Sequence, residues 1–132
     1  MYLAIDWGKK RIGLAVGAVF PKGAGVIDGG KPVEQNIEII KKIIAENEIV
    51  KIIVGLPMLR SGDEGSIATE IRAFAGRLSD ETGLPVEFEP EEFTSVDAAQ
   101  QFKDFDKDFS RKSGKLDEMA AVLILEQYLG HT

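Results

Sequence analysis

Cysteine is absent from this chain of 132 residues, so neither a disulfide framework nor a thiolate metal site is available to it. That suits a reducing compartment, and a cytoplasmic location is the expectation. Histidine occurs once, at His131, too few for a zinc centre built on imidazoles. No apolar run approaches the roughly 20 residues of a membrane-crossing helix. The first residues read as a strand rather than as a charged segment before an apolar one. Neither a membrane partner nor a signal peptide is therefore expected. Repeats, low-complexity tracts and linkers are missing as well, so residues 1–132 read as one domain. Basic charge is scarce: 16 Lys and Arg stand against 22 Asp and Glu, for a net charge of −6. As a sum, that argues against a protein that coats nucleic acid without selectivity.

What the chain does have is apolar pattern. Hydrophobic residues make up 44% of it, enough for a real core. The opening stretch, IDWGKKRIGLAVG, sets the plan. Tyr2 to Ile5 is an apolar run that ends on Asp6; Gly8, Lys9, Lys10 and Arg11 make a polar turn. After it Ile12, Leu14 and Val16 alternate with Gly13, Ala15 and Gly17. Period-two spacing around a tight turn predicts two strands of a hairpin. A Gly- and Pro-rich turn over 18–25 and a short third strand over 25–28 follow.

Ile37, Ile40, Ile43 and Ile44 recur at helical spacing and predict a helix over about 34–47. The β-branched run at 49–54 reads as a strand covered on both faces, ending at Gly55-Leu56-Pro57 because proline cannot donate to a ladder. A second helix is predicted over about 64–80 from Ile67, Ala68, Ile71, Phe74, Ala75 and Leu78, with Gly83 as its stop. Val86 to Phe88 reads as a half-exposed strand broken at Glu89-Pro90. A helix over about 95–102 and a mixed-charge loop come next, then a largely buried helix from about 113 to 129. A meander followed by βαβ units predicts an α/β fold: a mixed five-stranded sheet with helices on both faces and the first strand central. Ligands in such sheets collect at the carboxyl ends of central strands, where Asp6 sits.

Three acids are candidates for that end. Asp6 closes the first strand, Glu91 follows the last, and Asp117 opens the final helix, whose Ala120 and Ala121 allow a close approach to the sheet. Each has a plainer reading: Asp6 as a turn cap, Glu91 as one of a solvated run with Glu87, Glu89 and Glu92, Asp117 as a partner of the helix dipole. If they converge, their mutual repulsion is about 4 kcal/mol per pair at 4 Å and an effective dielectric near 20, which calls for a counter-charge. Hard divalent ions such as Mg²⁺ take all-oxygen ligands, and such sites serve phosphoryl chemistry.

At these places the chain resembles the YqgF family, small proteins of the RNase H-like fold. They are related to Holliday-junction resolvases and proposed as nucleases that mature the 5′ end of pre-16S rRNA. The family's D-x-G-x-x-R-x-G is matched by Asp6, Gly8, Arg11 and Gly13. Its G-L-P strand end is matched by Gly55, Leu56 and Pro57, with Gly62 in the loop beyond. Its D-E-R-x-T-[ST] element is similar to Pro90 through Ser95, and its D-x-x-A-A-x-x-I-L to Asp117, Ala120, Ala121, Ile124 and Leu125. The resemblance implies an RNase H-like domain and a Mg²⁺- or Mn²⁺-dependent endonuclease. In it Asp6, Glu91 and Asp117 are the catalytic and metal-binding residues.

Its substrate would be structured RNA or branched DNA, and the protein a monomer or homodimer. Lys9, Lys10, Arg11, Arg60, Arg111 and Lys112, with Thr94, are the expected substrate-binding residues. A basic rim positions a phosphate backbone, although Asp104, Asp106 and Asp108 dilute its last cluster. Trp7 reads either as core packing or as a platform for a base; Thr94 also reads as a helix cap. Pro90 and Glu92 depart from the family pattern, as do Gly17 and Ala18. Pro90, Glu92 and the acidic balance motivate a second reading, a non-catalytic nucleic-acid-binding or ribosome-assembly factor that keeps the fold. A nucleotide phosphotransferase is disfavoured, because the chain has no room for a second domain to enclose the nucleotide.

Overall fold

Strands β1 (Tyr2–Asp6), β2 (Arg11–Gly17) and β3 (Lys22–Asp28) form an antiparallel meander in a computed structural model that describes residues 1–58, 67–91 and 115–130. Strands β4 (Lys51–Pro57) and β5 (Val86–Glu91) add to it in parallel, giving a five-stranded sheet of order β3-β2-β1-β4-β5. This is the mixed five-stranded α/β arrangement expected, with β1 at the centre. The helix expected over 95–102 and residues Arg60, Gly62, Glu92, Thr94, Arg111, Lys112 and His131 lie outside the described residues.

Helices α1 (Val33–Asn47) and α2 (Ala68–Thr82) cover one face. Ile37 and Ile40 of α1, and Ile71, Phe74 and Leu78 of α2, pack on Leu3, Ile5, Ile12, Leu14, Ile52 and Val54 of the sheet. Burying each such side chain contributes about 1.5–3 kcal/mol, so this layer carries most of the stability. Helix α3 (Lys115–Gly130) covers the other face, where Ala121, Ile124 and Leu125 meet Ala4, Ala15 and Ile53. Among the described residues one side of α3 is covered, while Met119 and Leu123 on the other are exposed.

Several strand boundaries differ from expectation. Strand β3 begins at Lys22, inside the stretch read as a turn, because a bulge opposite Leu14 and Ala15 absorbs the surplus residue. Both late strands contain a proline: β4 ends on Pro57, as expected, while β5 continues past Pro90 to Glu91. Met58 donates to Glu91 on the β5 side, so alternation puts the missing Pro57 donor on the β1 side, where that ladder has already ended at Ile5–Val54. Pro90 lies on an edge strand, the place where a sheet tolerates it. The continuation of β5 through Glu91 is what carries that carboxylate into the sheet.

Candidate active site at the carboxyl end of the central strand

Side-chain alternation decides which residues can meet. Ala4 of β1, Ala15 of β2 and Ile53 of β4 pack under α3, so residues two apart from them share that face. Asp6 in β1, Arg11 and Gly13 in β2, and Gly55 in β4 therefore turn toward α3. So do Glu87, Glu89 and Glu91 in β5, which stand opposite Ile53, Gly55 and Pro57. All three candidate acids thus belong to one face and one end of the sheet.

Two glycines bring the elements close. Asp6 pairs with Gly13, and a Cβ on Gly13 would run into the backbone carbonyl of Asp117. The first turn of α3 accordingly rests on bare β2 backbone, beside Asp6. Gly55, next in β4 after the residue paired with Ile5, has no side chain to fill the neighbouring space. Ile124 of α3 packs there, and the Glu91 carboxyl carbon is 3.3 Å from the position a Gly55 Cβ would take. Either glycine replaced by a larger residue would lift α3 away from the strand ends.

The same turn of α3 is held by charge. Arg11 Nε donates to Asp117 Oδ2 at 2.7 Å, and the Asp117 side chain is only 11% exposed. The Gly25 backbone N–H donates to Glu118 Oε2 at 2.6 Å. Two adjacent carboxylates in a first helical turn also complement the helix dipole. Asp117 is therefore paired with a guanidinium, and among the described residues no group of three or more His, Cys, Asp and Glu is placed to hold a metal ion. The donor set itself, three carboxylates on a shared face, has the all-oxygen chemistry of a hard divalent ion.

Residues 1–131 match the sequence profile of the RuvX family, described as Holliday junction resolvase. The chain belongs to the RuvX family. It is similar to a protein of Synechocystis sp. provisionally named a pre-16S rRNA nuclease, 35% identical over 133 residues, covering 96% of this chain and 85% of the relative. A Koribacter versatilis protein with the same provisional name is 35% identical over 130 residues, covering 96% and 84%. Among solved structures, Thermus thermophilus RuvC in complex with a Holliday junction substrate aligns with TM-score 0.49 and 17% identity, over 67% of this chain and 62% of that one. The YqgF-like motifs of the sequence thus lie in a nuclease family, and RuvX membership covers the whole described sheet.

The expected substrate-binding cations of this RuvX-family chain go to different places. Arg11 is paired with Asp117 and only partly exposed. Lys9 crosses to the other face, 3.6 Å from Glu70 of α2. Lys10 is exposed at the tip of the β1–β2 turn. Arg60, Thr94, Arg111 and Lys112 fall outside the described residues.

Glu89 is a residue the sequence reading missed. Taken as part of a solvated acidic run, it is 8% exposed and accepts from Gln127 Nε2 of α3 at 2.9 Å. Its signal was available: if Glu91 points inward from a strand, so must the residue two before it. The shifted ionisations of the α3 face lie at its opposite end. There the Tyr128 hydroxyl and the Lys51 ammonium hold the Glu87 carboxyl below its ordinary value, and Tyr128 and Glu87 hold Lys51 above its own.

Proposed function

We propose that the protein is a divalent-metal-dependent nuclease that hydrolyses phosphodiester bonds in structured RNA, acting in the cytoplasm at the 5′ end of pre-16S rRNA, or in branched DNA. One observation supports this most: in a chain of a nuclease family, Asp6, Glu91 and Asp117 come from β1, β5 and α3 to the same face at the same end of the sheet. These three carboxylates are the residues that would hold Mg²⁺ or Mn²⁺. When bound, such an ion lowers the pKa of a water nucleophile and stabilises the leaving oxygen.

The chain's own residues do the rest. Gly13 and Gly55 fix how closely α3 sits on the strand ends, and so set the spacing of the acids. Arg11 holds the Asp117 carboxylate in place. Lys10, at the tip of the turn beside Asp6, offers an exposed charge to the phosphate backbone. Paired cuts in a four-way junction would need two copies of this site, hence a homodimer on that substrate.

The test is cleavage of a pre-16S rRNA fragment and of a four-way DNA junction with Mg²⁺, comparing wild type with Asp6→Asn. Cleavage by the wild type, lost on chelation with EDTA and reduced at least a hundredfold in a folded Asp6→Asn, is expected. Equal cleavage by both would take Asp6 out of the mechanism. The second reading, a non-catalytic RNA-binding assembly factor, is favoured by the guanidinium on Asp117, which already supplies the counter-charge an ion would bring. Tight binding without turnover in any divalent metal would establish it.

A further inference from the structure

Glu91 stands at a weakly supported place. Strand β5 is an edge of the described sheet, paired with β4 on its inner side. That pairing opens with the Ile52 N–H donating to the Pro85 carbonyl at 3.0 Å. It closes with the Met58 N–H donating to the Glu91 carbonyl at 3.4 Å, so it is looser where the candidate ligand sits. Residues of a strand turn alternately to its two sides. Pro85 and Glu91 turn their carbonyls to β4, so Pro90 turns its own to the outer edge, where the described sheet has no further strand.

A side chain of α3 takes the place of that missing neighbour. Gln127 Nε2 donates to the Pro90 carbonyl at 2.7 Å and to Glu89 Oε2 at 2.9 Å. An amide nitrogen has two hydrogens, and each is spent on one acceptor. The Pro90 carbonyl belongs to the planar peptide unit that carries the nitrogen and Cα of Glu91. Holding that oxygen therefore holds the plane from which the Glu91 side chain departs. The buried Glu89 carboxylate makes the second bond a charge-assisted one. Ile124, one turn earlier on α3, seats over Gly55, the ladder partner of Glu89, and so brings Gln127 within reach of β5.

We infer that Gln127 is the positioning residue for Glu91. Helix α3 then governs two of the three candidate acids: it carries Asp117 in its first turn, and it holds Glu91 through the Gln127 amide. One rigid helix thus sets where both carboxylates stand, and the edge strand does not have to. The role needs an amide. A methionine at 127 matches the length of the side chain and has no hydrogen to donate. What Glu91 binds rests on the proposed nuclease reading; the clamp itself needs no metal.

The experiment compares the full chain with Gln127→Met and with Ile44→Ala, a control for stability on α1, which packs on the opposite face of the sheet. Without divalent metal, amide hydrogen exchange by NMR is read at Met58, whose N–H reaches Glu91, and at Ile52, whose N–H reaches Pro85. The ratio of the Met58 rate to the Ile52 rate should rise about tenfold in Gln127→Met, from local loosening of the strand end, and should not rise in Ile44→Ala. Mn²⁺ binding is then read from the paramagnetic resonance of the free ion. Its Kd should weaken about tenfold in Gln127→Met, as for a group that holds a ligand in place. Ile44→Ala should lower Tm at least as far and leave the Mn²⁺ affinity as it is.

An unchanged ratio in Gln127→Met overturns the positioning role, whatever the metal does. A raised ratio with Mn²⁺ bound as tightly as by the wild type overturns it too, because a loosened Glu91 then makes no difference to the site. Equal weakening of Mn²⁺ binding in Ile44→Ala assigns the effect to stability, with the same consequence. A raised ratio in a protein whose wild type binds no Mn²⁺ upholds the Gln127 clamp and removes the metal reading of the three acids alone.

Discussion

Arg11 and Asp117 are 106 residues apart in the chain, and their side chains meet at 2.7 Å. This contact ties the second strand to the first turn of the last helix and so fixes where one of the three acids can stand. It also makes Asp117 a carboxylate with a protein cation as its partner, in a place where the proposed chemistry asks for a metal.

A double-mutant cycle on this pair should give a coupling of about 1–2 kcal/mol, below the upper range for charged hydrogen bonds because Arg11 is partly solvated. Arg11→Gln should cost more than Asp117→Asn, since it takes the guanidinium from a buried carboxylate. Mn²⁺ should then raise the Tm of Arg11→Gln more than that of wild type, by linkage to the state that binds it. Urea melts of the four proteins and Tm against Mn²⁺ concentration measure both. A coupling near zero would show that the pair is incidental.

Gly55 and Ile124 should behave as a complementary pair. A Cβ at Gly55 meets the Cδ1 methyl of Ile124, the end of a side chain that can be shortened. Gly55→Ala alone should cost about 1–3 kcal/mol by overpacking, and Gly55→Ala with Ile124→Val should recover about half of it. At Gly13 the obstacle is the Asp117 backbone, which no substitution can trim. Gly13→Ala should therefore be the more damaging change, with no rescue from side-chain truncation in α3. Equal denaturation midpoints for Gly55→Ala with and without Ile124→Val would contradict this account.

Stability should be flat through neutral pH and fall at both extremes. The Glu87 and Glu34 carboxyls lie below their ordinary value, Glu87 through Tyr128 and Lys51, Glu34 through a backbone hydrogen bond and then Arg77. Their stabilisation is present above about pH 4.3 and is lost as pH falls through the lowered values. Lys51 is raised, by Tyr128 first and Glu87 next, so its contribution is whole below about pH 10.4 and is lost above that. All of these groups are solvated, so the effects are small and should shrink in high salt. In Lys51→Met, thermal melts from pH 3 to 11 should show a shallower alkaline decline than in wild type; an identical decline would exclude Lys51 as its source.

The residues by themselves determined the sheet, its order and its two helical layers. Period-two runs of β-branched residues and the isoleucine stripe of α1 can be buried in few other ways, because each element has one apolar side to cover. They also marked Asp6, whose place at the end of a central strand is a matter of chain order. The end of the fourth strand at Pro57 was legible, but the continuation of β5 through Pro90 was not, since whether a missing N–H matters depends on which neighbour lies beside it.

Tertiary structure alone decided that Arg11 meets the Asp117 carboxylate and that Glu89 is buried beside Gln127. In each case the deciding quantity is a distance between elements far apart in the chain. The two glycines, Gly13 and Gly55, set that distance by what they lack.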